Sequence, residues 1–140
     1  MREKSIVAIA VALLLAVSAL FLACSSSPSP QEAKANFCTS LDNLHQNVSA
    51  LQAVGSGTSV DQVKSDADNV RSSFQDVRKT AADVNGANTD SLQSAVNDLQ
   101  SAISDLSGSA TLAQAVSSIQ TQLTAVADAW QQLSTSFQCS

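Results

Sequence analysis

From Pro30 onward the apolar residues recur at alternating steps of three and four. The first run is Phe37, Leu41, Leu44, Val48 and Leu51. The second is Val60, Val63, Ala67, Val70, Phe74, Val77, Ala81 and Val84. The third is Leu92, Val96, Leu99, Ile103 and Leu106, widened by Ala95 and Ala102. The fourth is Leu112, Val116, Ile119, Leu123, Val126, Trp130, Leu133 and Phe137. Each run is an amphipathic-helix pattern whose seam repeats near 3.5 residues. No stretch sustains the two-residue alternation of a strand.

The punctuation agrees with the period. Ser29-Pro30-Gln31-Glu32 has the form of a capping box with Pro at the first helical position. Ser59 with Gln62 and Thr111 with Gln114 repeat the form, and Asp90 with Gln93 imitates it. Gly55-Ser56-Gly57, Asn85-Gly86 and Ser107-Gly108 supply stops. The pattern predicts helices over 30–54, 60–84, 90–107 and 112–138. Their connections are about four to six residues long, which suits antiparallel neighbours. The fold class is all-α, one four-helix bundle domain over 30–140.

Composition narrows the function. The chain has 140 residues, a net charge of −5, and only 14% charged residues against 44% hydrophobic. Seven Lys and Arg make no basic face for phosphates, so nucleic acid is excluded as a partner. One His, one Met and three Cys rule out most metal and haem chemistry, and no cofactor is expected.

The first 30 residues carry an address. Arg2 and Lys4 precede an apolar run, Ile6 to Ala23, interrupted only by Ser18. A basic start, an apolar stretch and a small residue before the break make an export signal. The run also just reaches the length that spans a bilayer, so an uncleaved transmembrane helix is the alternative. The segment Leu20-Phe21-Leu22-Ala23-Cys24 resembles the lipobox of bacterial lipoproteins, with Phe21 standing where the family usually has Leu. That resemblance implies cleavage after Ala23 and acylation of Cys24, the first mature residue. Residues 1–23 are then the signal peptide and 24–29 a lipidated Cys and Ser/Pro tether. Five cations and eleven carboxylates remain, a net charge of −6. The implied location is the extracytoplasmic face of a bacterial cell membrane, with the membrane as a partner through the lipid.

With Cys24 acylated, Cys38 and Cys139 remain as an even pair in an oxidising compartment, where a disulfide is expected. A bridge around about 100 residues contributes about 4–5 kcal/mol in the chain-entropy model. An up-down-up-down order brings the start of helix 1 and the end of helix 4 to the same pole, as that bridge requires. The heights match less well. Cys38 to Val54 rises roughly 24 Å, whereas Leu112 to Cys139 falls roughly 40 Å. Helices 2 and 4 overhanging their neighbours would leave an incompletely covered pole near Gly55–Val63 and Ser107–Val116. Val60, Val63 and Leu112 are therefore the candidate binding end.

Other candidates carry less. Asp42 and His45 have half of a carboxylate–histidine metal motif, but no second His exists. Asp83 to Asp90 offers oxygen ligands, yet Gly86 is fourth and Ser94 twelfth, which does not fit a calcium loop. Asp66 and Asp68, two apart on a helix, point away from each other. One His cannot supply a nucleophile–base–orienter set, so no catalytic residue is assigned. Trp130 on the fourth stripe is expected in the core. The function expected is non-enzymatic binding of a protein or other envelope component. The alternative is a carrier holding a small apolar ligand in the bundle interior.

Overall fold

Ser29 opens the first helix by the reciprocal bonds its sequence offers. Its hydroxyl accepts the Glu32 backbone N–H at 3.3 Å, and its own N–H donates to Glu32 Oε2 at 3.0 Å. The computed structural model describes residues 27–54, 58–107 and 112–139, with backbone alone at 107 and 112–115. Four helices result: α1 Pro30–Gln52, α2 Val60–Ala81, α3 Asp90–Ser104 and α4 Leu112–Phe137. A 3₁₀ turn, Asp105–Ser107, tightens the end of α3.

The predicted helices are all present, with ends that differ by a few residues. α2 stops at Ala81 because Asp83, Val84 and Ala87 donate instead to carbonyls three residues back. Gly86, at φ 82°, then turns the chain in a left-handed conformation that a side chain would strain. Ser59 caps α2 through the Gln62 N–H at 3.2 Å, but the Gln62 amide donates forward to Asp66 instead of completing a box. Asp90 is not a cap. It lies inside the first turn of α3, and its N–H is held by Asn88 Oδ1 at 2.8 Å. Its carboxylate there suits the positive end of the helix dipole. The Thr111 cap lies outside the described residues.

The four stripes meet in one core. Phe37, Leu41, Leu44, Leu92, Leu99 and Leu123 are among its largest fully buried side chains. Ala67, Ala81 and Ala95 are buried as well, while Ala102 is half-buried. The packing runs round a ring, α1 on α2, α2 on α3, α3 on α4 and α4 on α1. α1 and α4 are antiparallel, since Phe37 meets Phe137 while Leu41 and His45 meet Trp130. Among the described residues two polar side chains are buried, and both are satisfied: Ser40 donates to Asn36 O, and Ser73 to Asn69 O while accepting from Asn47.

Cys38 and Cys139 form a disulfide, with Cα atoms 5.3 Å apart and a sequence separation of 101. The end of α4 is shaped to allow it. Gln138 adopts φ 52°, and Cys139 N–H reaches back to Ser134 O at 2.9 Å while Gln138 N–H bonds Thr135 O at 3.2 Å. This is a Schellman turn with Gln where Gly is usual. It directs Cys139 off the helix toward α1.

Two predictions follow from these termini. Cys38→Ser, Cys139→Ser and the double variant remove the same bond, so all three should lose about 2–5 kcal/mol to the same extent in urea unfolding. The Ser29 backbone N–H, aided by its hydroxyl, holds the Glu32 carboxyl below the usual carboxylate range. A depressed folded-state pKa means the cap contributes fully above the unfolded pKa and is lost as pH falls through the folded one. Carboxyl-detected NMR titration of folded and urea-unfolded protein should show Glu32 titrating lower when folded, a difference that Ser29→Ala reduces without abolishing, because the backbone N–H donor remains.

Candidate functional site

The edge between α1 and α4 gathers the molecule's unusual side chains. Phe37 and Phe137 pack edge to face, with centroids 5.2 Å apart. One to two turns further on, Trp130 donates its indole N–H to Leu41 O at 2.8 Å and stacks on the imidazole of His45, centroids 4.2 Å apart. Trp130 is half-buried and packs against the rim of the core. The indole lies along α1 while Ala129, 8% exposed, takes the interior position. A 3.6-residue helix drifts against a 3.5-residue stripe, so a long stripe slides toward the helix flank. A large ring with a polar atom settles at that flank, where the N–H finds an acceptor.

His45 is exposed and engaged in this stack. No cluster of three metal-ligating side chains occurs among the described residues. The Asp83–Asp90 segment is a turn organised by Gly86 and Asn88. Cys24 lies outside the described residues.

The proposed binding end divides. Val60 is half-buried at the first residue of α2. Val63 is 2% exposed and belongs to the core, so it is no part of an uncovered surface. The reason is its place one turn inside α2, where the stripe already faces the other helices. Leu112 begins α4, but its side chain lies outside the described residues, as do 55–57 and 108–111.

Near that end is a feature the stripes did not reveal. α2 and α3 pack less closely than α1 and α2 or α3 and α4. Between the first half of α2 and the last turns of α3 runs an open groove of about 340 Å³. Ala67 and Ile103 form its floor, with Lys64, Asp68 and Arg71 along one wall and Gln100 and Ser104 on the other. Lys64, Asp68 and Arg71 stand at helical spacings that share a face, which is readable in the sequence. That Ile103 of α3 lies beneath them is not. A second open groove, between α1 and α2, is lined by Asn43, Gln46, Asn47, Asn69, Ser72, Ser73 and Asp76. Asn47 crosses it to the Ser73 hydroxyl and, at 3.5 Å, to Asn69 O.

Comparison with protein-family models, characterised proteins and solved structures finds no match to this chain. The class its fold defines is a disulfide-closed four-helix bundle. Among the described residues, no helix is long and apolar enough to cross a membrane.

Trp130→Phe keeps a stacking ring but removes the N–H donor, and should cost about 0.5–1.5 kcal/mol in urea unfolding. The two valines should separate cleanly. Val63→Asp places a charge in the core and should abolish the helical circular-dichroism signal at 25 °C, whereas Val60→Asp should retain it.

Proposed function

We propose that this protein is a bacterial lipoprotein whose acidic four-helix domain acts as a non-enzymatic binding module on the extracytoplasmic face of the membrane. The observation that carries this reading is the Cys38–Cys139 bond. Disulfides persist in exported proteins and are rare in reducing compartments. The pairing also leaves Cys24 as the one remaining Cys, directly after Ala23 at the end of an apolar run. A Cys in that position is the acylation site of the lipobox. Acyl chains there, each buried CH₂ contributing about 0.8 kcal/mol, would anchor the chain through its N-terminal tether.

A binding role suits the residues on hand better than catalysis. Both thiols of the domain are consumed in the bond, and the single imidazole is stacked on Trp130. The acidic surface repels anionic head groups, which favours a domain held off the membrane. The tether enters at α1, beside the disulfide. The start of α2 and the end of α3 then point away from the membrane, toward an envelope component. Binding in the bundle interior is disfavoured by the packing of the core. Leu41, Leu44, Leu99, Leu123 and Val126 are all at or below 1% exposure.

Intact-mass measurement of the detergent-extracted protein tests the reading. The expected species begins at Cys24, carries acyl mass there, and gains two hydrogens on reduction. Cys24→Ser should lose the acyl mass and, because cleavage follows acylation, keep residues 1–23. A full-length, unacylated chain that stays in membranes would replace the lipoprotein with an uncleaved span.

A further inference from the structure

We propose that the groove between α2 and α3 binds a single-chain amphiphile with an anionic head, namely a long-chain carboxylate. The inference rests on the reading of the domain as a binding module and names what it binds. Of the neighbouring helix pairs round the ring, α2 and α3 pack the least closely. The floor of the groove is apolar, because α2 contributes the small Ala67, 7% exposed, opposite Ile103, 5% exposed. A small residue here leaves space between the helices that a Leu would fill.

The walls carry charge of the opposite kind to the rest of the protein. Lys64 and Arg71 are two of only five cations after Ala23. Both are exposed and line this groove, seven residues or about 10.5 Å apart along the helix. Neither forms an ion pair among the described residues. Asp68 lies between them at ion-pairing spacing from both, and is the one anion in the groove that an incoming carboxylate must oppose. Methylenes over Ala67 and Ile103 with a carboxylate beside Lys64 or Arg71 satisfy both the floor and the wall. A protein partner fits less well. The volume is at the small-molecule scale, and the lining has no aromatic anchor and one Arg.

The test uses residues 24–140 with Cys24→Ser, exported behind an ordinary cleavable signal and studied without detergent, so that no added amphiphile competes. Dodecanoate, below its micelle concentration, is titrated by calorimetry and by the methyl NMR signals of Ile103 and Ile119. Saturable binding that shifts Ile103 and spares Ile119 is expected. Lys64→Gln with Arg71→Gln should weaken binding about tenfold, as two exposed charge contacts of this size imply. Arg78→Gln with Lys79→Gln removes equal charge elsewhere on α2 and should leave affinity within about twofold. Asp68→Asn should tighten binding about twofold to fivefold.

Equal weakening by the two double variants would overturn the site, since net charge alone would then govern binding. Dodecanol binding as tightly as dodecanoate would overturn the anionic head, and acetate shifting Ile103 as dodecanoate does would overturn the alkyl chain. Absence of saturable dodecanoate binding to the folded protein would overturn both. The acylation of Cys24 is read separately by mass. An unacylated wild-type chain that still binds dodecanoate at Ile103 removes the lipoprotein reading and leaves the groove.

Discussion

The covalent tie between the start of α1 and the end of α4 is the constraint around which the bundle is arranged. Its core is built from Ala, Val and Leu with few aromatics, so each buried position contributes modest apolar area. A domain of this size and composition has little stability to spare. Joining residues 101 apart removes a large share of the disorder available to the unfolded chain. It also selects the pole at which the chain's two ends meet. The Phe37–Phe137 contact and the Trp130–Leu41 bond then fasten the same edge above the bridge. The α1–α4 edge is held by covalent, aromatic and hydrogen-bonded contacts together.

Stability is spread unevenly as a result. The opposite edge, between α2 and α3, has no such fastening and leaves a groove at the end remote from the disulfide. Contacts that are few and solvent-exposed mark the parts of a fold that open most readily. The proposed binding role would gain from this division. One edge keeps the helices in register, and the other presents surface.

Charge follows the same division. Carboxylates are scattered over the acidic domain, while Lys64 and Arg71 stand together over an apolar floor. Local composition, not net charge, decides what a surface attracts at short range, because salt screens exposed charges beyond about 8 Å. An acidic protein can therefore hold an anion at one groove and be repelled by anionic surfaces elsewhere.

Much of this was legible in the linear chain. Four stripes with capping residues determined four helices, because helix period and end chemistry are local properties. Cys parity pointed to the Cys38–Cys139 bond, since only a few pairings exist among three Cys. Three matters were decided only by tertiary packing. Trp130 packs on the rim of the core at the α1–α4 flank, because stripe and helix periods differ and its N–H needed an acceptor on another helix. Val63, read as part of an open pole, was drawn into the core by neighbours that a single stripe does not specify. The α2–α3 groove depends on Ala67 and Ile103 facing each other across two helices, a pairing set by rotation and tilt. The sequence determined which residues each helix would bury; the packing of helix on helix decided which of them would be left beside open space.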